Sequence, residues 1–229
     1  MKERHICEPI RDPKKVKEML EALSMRENGF RDALLFEVGI STGLRVSDIL
    51  SLKKSNISNG MIRIKTKKTK KYKLIALNDS CREKLDMYTE HMQDDQLLFP
   101  IQRQWVHKIL KWAADQIGLD KRFVSTHVMR KTAAYHFYKK TKDISKTQAF
   151  LGHRDSKETQ KYIMITDEEV NEDLVDISWS VTSAKNSLEI DGFDITEEHT
   201  KLILKRLTNQ ITEEEFLQEV RKRVNQKEK

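Results

Sequence analysis

Residues 151–162 of the chain read LGHRDSKETQKY, which places Tyr162 nine positions after His153. A tyrosine hydroxyl has a pKa of about 10, so it acts as a nucleophile near neutral pH only in a strongly positive pocket. Imidazole and basic side chains can supply such a pocket. Taken alone, the segment is equally typical of a helix end, and the chain contains five tyrosines. Two segments upstream decide between these interpretations.

Each of the two upstream segments carries an arginine. Residues 42–50 read TGLRVSDIL and contain Arg45. Residues 126–132 read THVMRKT, and their His127 and Arg130 share one face if they lie on a helix. A guanidinium can grip two phosphate oxygens at once, which a lysine ammonium cannot do. The two arginines together could hold one phosphodiester and stabilise the charge of a five-coordinate transition state.

In order and spacing, the three segments resemble the signature boxes of the tyrosine recombinase (phage integrase) family. That family shows T-G-x-R-x-[SD]-[ED]-[IL], then H-x-x-R, then L-G-H followed by its nucleophilic tyrosine. The resemblance covers residues 10–165 and implies a mainly α fold with a small antiparallel β-sheet. It also implies a site-specific recombinase or integrase that cleaves and rejoins DNA through a 3′-phosphotyrosyl bond. The catalytic residues implied are Arg45, Lys68, His127, Arg130, His153 and Tyr162, with Asp48 orienting Arg45.

The lysine of this set is expected in residues 56–77, where short apolar stretches flank a lysine-rich turn and predict a β-hairpin or meander. The resemblance implies that the turn lysine is the general acid that protonates the departing 5′ oxygen. Counting back from Leu77, Lys68 takes that position, with Lys67 and Lys70 as close competitors. We expect the other lysines of the site to contact DNA, namely Lys65, Lys67, Lys70, Lys71 and Lys131.

Helical periodicity and capping residues predict helices over most of the remaining chain. Asp12 is the expected cap of the first helix, which has Pro13 in its first turn. A helix from Asn78 to Gln93 is expected to begin in the same way. Further helices are expected at residues 30–40, from 46, and at 104–117, 126–140, 146–151 and 156–163.

The charge of the chain changes sign along its length. Residues 1–165 hold 34 Lys and Arg against 20 Asp and Glu, a net charge of +14, whereas residues 166–229 hold 9 against 16, a net charge of −7. A positive body favours a polyanion, because binding to phosphates releases condensed counterions. The resemblance implies that this polyanion is double-stranded DNA. The sequence contains no evident carboxylate cluster for Mg²⁺, and the implied reaction requires no metal or other cofactor.

The sign change predicts a boundary near residue 166. With it, the resemblance implies a catalytic domain over residues 1–165 and a subunit-docking tail over 166–182, which leaves an acidic helical appendage over 183–229. The resemblance implies a monomer alone and a homo-tetramer on DNA. Most family members also carry an N-terminal helical domain that clamps the DNA, whereas the first catalytic helix here begins near Asp12. Docking on a neighbouring subunit is expected from Leu174, Val175, Ile177 and Trp179.

The sequence of the appendage predicts a pair of helices at residues 196–208 and 212–224. The capping box of the first, at Thr196, is poor, and that of the second, at Thr212, is good. Just before the pair, Ser187, Asp191 and Gly192 resemble the [S/T]-x-x-x-[E/D]-[G/N] motif of the VbhA-type antitoxin domain. That resemblance implies inhibition of a Fic-type AMP-transferase in trans. Packing of an acidic pair on the body, a neighbour or another protein partner is at least as well supported.

Composition excludes membrane and secreted classes. No apolar run approaches the ~20 residues of a membrane span, and no signal peptide opens the chain. We expect a cytoplasmic protein of bacterial, phage or mobile-element origin, with Cys7 and Cys81 as free thiols. Three alternatives to a recombinase stay open from the residues: a DNA-binding regulator that does not cut, a type IB topoisomerase-like nicking-closing enzyme, and an interaction protein acting through the tail.

Overall fold

The computed structural model describes residues 5–166, 169, 181–182, 185, 196–207 and 210–227. The chain divides into two compact units, Met1–Met164 and Ile165–Lys229. Among the described helices, none combines the length and apolar character that crossing a membrane requires. The predicted docking residues and the antitoxin-like motif lie outside the described residues and stay predictions: Leu174, Val175, Ile177, Trp179, Ser187, Asp191 and Gly192.

The first unit consists of helices around one small sheet. Its helices are α1 (Pro13–Ser24), α2 (Gly29–Thr42), α3 (Val46–Ile49), α4 (Asp79–Thr89), α5 (Arg103–Gln116), α6 (Val128–Thr141), α7 (Ile144–Leu151) and α8 (Ser156–Ile163). The strands β1 (Ile57–Ser58), β2 (Met61–Lys65) and β3 (Tyr72–Ala76) form an antiparallel sheet in that order. This architecture confirms the predicted fold class, mainly α with a small antiparallel sheet.

Short polar side chains begin these helices where the sequence predicts. The carboxylate of Asp12 accepts a hydrogen bond of 2.8 Å from the backbone N of Lys14, and the amide oxygen of Asn78 accepts one from the backbone N of Cys81. Both bonds satisfy N–H groups that have no partner inside the helix. Helix α2 ends at Gly43, whose φ of +59° lies in the left-handed region that favours glycine.

Helix α2 lies at the centre of the first unit. Its residues 34–36 and 38 are each at most 1% exposed, so it is buried on several faces. It packs against α1, α4 and α6. Gly39 allows the close approach of α6, because a Cβ at this position would lie 2.8 Å from the Cβ of Met129. The position of α6, which carries Arg130, therefore depends on the absence of a side chain in α2.

The sheet positions a lysine-rich turn at the surface. In β2, Ile62 and Ile64 are buried and the residues beside them are exposed, so one face of the strand packs on the core. The β2–β3 ladder ends at the pair Lys65 and Tyr72. The turn between these two residues, residues 66–71, is therefore the outer end of the hairpin, as the sequence predicts.

The second unit contains two described helices, α9 (Glu197–Leu207) and α10 (Glu213–Lys227). Both begin with a reciprocal capping box. The backbone N of Thr212 donates to the Glu215 carboxylate at 2.7 Å, and the backbone N of Glu215 donates back to the Thr212 hydroxyl. At α9 the box judged poor from sequence also forms, because the imidazole Nδ1 of His199 accepts from the backbone N of Thr196 at 3.3 Å.

The contact between α2 and α6 predicts a strong coupling of two substitutions. Gly39→Ala should lower the free energy of unfolding by about 1–3 kcal/mol, because its Cβ would overlap Met129. Met129→Ala alone should lower it by about 2–5 kcal/mol through the cavity that it leaves. Urea unfolding of the double variant should give a loss clearly smaller than the sum of the two. Additive losses would contradict the proposed overlap.

Candidate active site

Arg130 joins three helices through their ends. It belongs to a run of eight buried residues, 128–135, at the start of α6 and is 2% exposed. Its Nη1 donates to the carbonyl oxygen of Gly43, and its Nη2 donates to that of Leu151 at 2.8 Å. These carbonyls lie at the C-terminal ends of α2 and α7, where the helix dipole is negative and backbone oxygens lack helical partners. One guanidinium thus draws the three sequence segments together.

Tyr162, on α8, lies among the side chains of the other segments. Its hydroxyl is 3.3 Å from Nδ1 of His127. The ring centroids of His153 and Tyr162 are 4.8 Å apart, in an edge arrangement. The guanidinium carbon of Arg130 and the Nζ of Lys131 each lie 5.6 Å from the centroid of the tyrosine ring. The structure therefore brings Tyr162 together with both histidines and with Arg130.

His127 lies at the N-cap of α6, one residue before the helix begins. Its φ of −82° and ψ of −13° are helical, and its side chain and that of Arg130, three residues on, reach the same site at Tyr162. Partial burial, followed by the charges of Arg103 and Lys131, lowers the pKa of His127. The imidazole is consequently neutral near pH 7, and in the tautomer with Nδ1 free it accepts a hydrogen bond from the Tyr162 hydroxyl.

His153 is held in the corner between α7 and α8. Gly152 caps α7 with a φ of +69°, and the side chain of His153 is fully buried behind it. Its Nδ1 lies 3.1 Å from the hydroxyl of Thr159. Burial, and then the charge of Arg130, lower the pKa of His153 to about 4. The ring is therefore neutral at physiological pH.

Arg45 supplies a second positive charge to the same place. It forms the N-cap of α3. Burial, and then the charge of Arg45, lower the pKa of Arg130 to about 10. The charge of Arg45 also contributes, after burial, to the lowered pKa values of His127 and His153. The site is thus a pocket of strong positive potential around a tyrosine hydroxyl.

Three buried polar atoms of the predicted site make no hydrogen bond within the described part of the chain. They are Nε of Arg130, Nε2 of His153 and Oδ2 of Asp48. Unpaired buried polar atoms are rare and costly in folded proteins. Two of the three can donate, and they belong to the residues predicted to hold a phosphate. This arrangement suits an anionic ligand.

The model of the phage integrase family matches residues 11–169 of the chain. The chain belongs to this family. A probable integrase/recombinase, YoeC of Bacillus subtilis (strain 168), is 36% identical over 172 residues, which cover 72% of this chain and 93% of that protein. The match confirms the family suggested by the three sequence segments.

Solved structures of recombinases share the fold of the first unit. The crystal structure of XerA recombinase superimposes with a TM-score of 0.62 at 23% identity, over 75% of this chain and 64% of that one. XerH recombinase, bound to its difH substrate before cleavage, gives a TM-score of 0.57 over 74% of this chain and 53% of that one, at 23% identity. The chain therefore spans only about half to two thirds of these two recombinases.

Asp48, predicted to orient the first arginine of the integrase signature, makes a different contact. Its Oδ1 accepts a hydrogen bond of 2.8 Å from the backbone N of Lys67 in the hairpin turn. No hydrogen bond between Asp48 and Arg45 occurs among the described residues. Asp48 therefore ties the first signature segment to the hairpin, and its effect on Arg45 stays a prediction.

The predicted general acid, Lys68, lies exposed in the turn of the hairpin. Its side chain makes no hydrogen bond or ion pair with the rest of the described chain. The hairpin lysines Lys65, Lys67, Lys70 and Lys71 are also exposed, which suits their predicted contact with DNA. The structure does not bring the ammonium of Lys68 into contact with the other site residues.

Lys131 is buried, in contrast to the lysines of the hairpin turn. It is 7% exposed, and its Nζ donates to the carbonyl oxygen of Cys7 at 2.7 Å and to the sulfur of Met164 at 3.0 Å. These contacts hold the segment before α1 and the residue that ends α8. The Nζ of Lys131 also lies 5.6 Å from the centroid of the Tyr162 ring, and the DNA contact predicted for this lysine stays a prediction.

Sequence reasoning missed Lys73. Its Nζ donates to the carbonyl oxygen of Phe150 at 2.5 Å. Burial, followed by the charges of Arg130 and Arg45, lowers the pKa of Lys73 to about 8. Strand alternation could have revealed it, because Lys73 shares the inward face of β3 with the partly buried Ile75.

No group of three or more His, Cys, Asp or Glu side chains that could hold a metal ion occurs in the part of the chain that the structure describes. Most of the side chains that meet around Tyr162 are instead cationic or neutral, and one carboxylate, that of Glu158, lies 3.9 Å from Nε2 of His153. They can bind and stabilise an anion by charge and hydrogen bonding.

The buried neutral state of His153 predicts a pH-dependent stability. Its pKa of about 4 in the folded chain lies below the ordinary value of 6.5, so the unfolded chain takes up the proton first. Stability should therefore fall as the pH drops from about 6.5 toward 4. Between pH 7 and 5.5 this group should account for roughly 1 kcal/mol. Urea unfolding at both pH values should show a smaller loss for His153→Asn than for the parent. An equal loss would contradict the burial argument.

Proposed function

We propose that this chain is a site-specific DNA recombinase that cuts and rejoins strands through a covalent bond to Tyr162. The observation that carries the proposal is the meeting of the Tyr162 hydroxyl with a neutral imidazole, at 3.3 Å, beside the guanidinium of Arg130, whose pKa is also lowered by the charge of Arg45 after burial. Membership of the phage integrase family over residues 11–169 supports the same activity. Together, a tyrosine hydroxyl, a neutral imidazole and two arginines suit the attack of the tyrosine oxygen on a phosphate.

In the proposed mechanism, the Tyr162 oxygen attacks the scissile phosphorus while neutral His127 takes the phenolic proton. The bond from phosphorus to the 5′ oxygen breaks, and Lys68 protonates that oxygen. The product is a 3′-phosphotyrosyl bond and a free 5′ hydroxyl. One phosphate ester has replaced another, so a 5′ hydroxyl of a second strand can reverse the steps and release Tyr162 without ATP.

Arg45, Arg130 and His153 stabilise the charge that develops on the non-bridging oxygens. Each terminal nitrogen of Arg130 donates one N–H to a backbone carbonyl, so three further N–H groups of the guanidinium, including that of the unpaired Nε, stay as donors for the phosphate. His153 offers Nε2 in the same way. Both donors are fixed by buried contacts before the substrate arrives, and such preorganisation is what makes electrostatic stabilisation effective.

The partner we propose is double-stranded DNA, bound by the positive first unit and by the exposed hairpin lysines. We propose assembly of several copies on DNA, a tetramer by resemblance to the family, with the tail over residues 166–182 docking on a neighbour. The chain spans 53% of XerH and 64% of XerA. Complete recombination, beyond the cleavage chemistry, is therefore part of what we propose. We place the protein in the cytoplasm, where bacterial and phage DNA lies.

The alternatives are less well supported. A regulator that does not cut has no use for a tyrosine hydroxyl beside a neutral imidazole and two arginines. A type IB topoisomerase-like enzyme would share the chemistry, but the family match is to phage integrases. Strand transfer to a second DNA, rather than relaxation of supercoils alone, separates these two activities.

Cleavage should depend on Tyr162 and on the arginines. A duplex carrying a nick near the cleavage site traps the covalent intermediate, because the short 5′ fragment diffuses away. With EDTA present, the parent chain should form a covalent complex that Tyr162→Phe lacks. Arg45→Ala should form it roughly 100- to 1,000-fold more slowly. Tyr138→Phe is the matched control and should behave like the parent. A complex that persists in Tyr162→Phe would refute the proposed nucleophile.

A sulfur atom in place of the bridging 5′ oxygen should identify the general acid. A thiolate leaves without protonation, so a variant that lacks only the proton donor recovers on this substrate. Lys68→Met should slow cleavage of the oxygen substrate by roughly 100-fold and cleave the sulfur substrate nearly as fast as the parent. Lys67→Met and Lys70→Met should each weaken DNA binding, and by the same factor for the oxygen substrate and the sulfur substrate. Selective rescue of either of these two, rather than Lys68→Met, would reassign the acid.

A further inference from the structure

Two cations from different elements meet the C-terminal end of α7. Lys73 of β3 donates to the carbonyl oxygen of Phe150 at 2.5 Å, and Arg130 of α6 donates to that of the next residue, Leu151, at 2.8 Å. Both oxygens belong to the last turn of α7, where no N–H group of the helix follows to donate to them. His153 follows directly. The corner that carries His153 is thus held from two sides, and only Arg130 belongs to the recognised signature.

The strand and the corner fit closely at this contact. Gly152 has a φ of +69°, and a Cβ there would lie 3.1 Å from Cε of Lys73. Glycine is therefore needed both for the backbone conformation and for the approach of the lysine stem. The ring of Phe150 stacks on that of Phe137 at 4.5 Å, which fixes the accepting carbonyl. The ammonium of Lys73 therefore meets an acceptor whose position is already determined.

Lys73 also lies on β3, the strand that follows the turn over residues 66–71, which contains the proposed general acid Lys68. The turn is held on its incoming side by Asp48, which accepts from the backbone N of Lys67. On its outgoing side, Lys73 pairs with Ile64 in the ladder and reaches Phe150 with its side chain. Lys68 lies between these two attachments. The hairpin is therefore fixed to the first signature segment and to the residue just before the third, at points that flank Lys68.

We propose that Lys73 is a positioning residue that holds the β2–β3 hairpin against the corner of His153 and so sets where Lys68 delivers its proton. The proposal rests on the proposed function. Burial and two neighbouring arginines disfavour the charge of Lys73, so its contact is maintained against an electrostatic cost. That cost is reasonable where a small displacement of a proton donor reduces the rate by up to about 100-fold.

The test compares Lys73→Met with the parent on nicked DNA that carries either oxygen or sulfur at the bridging 5′ position. Methionine keeps the length and apolar stem of the lysine and removes the ammonium. We expect cleavage of the oxygen substrate to slow by roughly 10- to 100-fold, whereas cleavage of the sulfur substrate stays within about threefold of the parent. Lys73→Arg, which can still donate to the Phe150 carbonyl, should restore much of the loss.

Controls separate positioning from a general effect on folding. Lys17→Met removes an exposed lysine of α1 and should match the parent on both substrates. Should Lys73→Met fail to fold, Lys73→Leu replaces it, because leucine also removes the ammonium that donates to the Phe150 carbonyl and keeps an apolar stem. An equal loss on both substrates, or no loss on either, would overturn the proposal.

Other outcomes locate a failure. Full activity of Lys68→Met together with selective rescue of Lys73→Met by sulfur would make Lys73 itself the acid and overturn its positioning role. If the parent cleaves neither substrate, or if Tyr162→Phe still cleaves, the proposed function fails first. If the parent cleaves DNA and Lys73→Met is slowed equally on both substrates, the positioning role of Lys73 is refuted and the proposed function stands.

Discussion

The guanidinium of Arg130 donates to the carbonyl oxygens of Gly43 and Leu151, and the remainder of the site depends on this pair of bonds. A buried cation is costly unless its donors are satisfied, and a hydrogen bond to a charged group contributes about 1.5–3 kcal/mol to stability. Here the acceptors are helix-terminal carbonyls rather than a carboxylate. The three sequence segments are therefore joined without neutralising the positive charge.

Keeping the charge has a consequence for each neighbour. Lowered pKa values in Arg130, His127, His153 and Lys73 share burial and positive neighbours as causes. Cationic groups that lie close together repel each other, which raises the free energy of the pocket when no anion is bound. A phosphate that gains charge in the transition state relieves that repulsion. The same electrostatics that makes the free site less stable thus makes it complementary to the reaction.

How much of this could be predicted from the sequence depends on the range of the interaction. Helix starts at Asp12 and Asn78 were predictable, because a cap and the N–H that it accepts lie two or three residues apart. The spacing of the three segments predicted which side chains would meet, through the resemblance to a family. Lys73 was missed because its role depends on a carbonyl 77 residues away and on the missing side chain of Gly152. The inward direction of Lys131 depends on Cys7 and is equally non-local.

The site is assembled almost entirely from helix ends. Arg45 and His127 are N-caps of α3 and α6, and His153 follows the last turn of α7. N-terminal ends add partial positive charge near a phosphate, whereas C-terminal ends supply the carbonyls that hold Arg130 and Lys73. In the proposed mechanism each kind of end therefore has a separate task, since N-terminal ends face the phosphate and C-terminal ends fix the cations. Because an end is set by the packing of a whole helix, the core contact of Gly39 with α6 controls the geometry of the pocket.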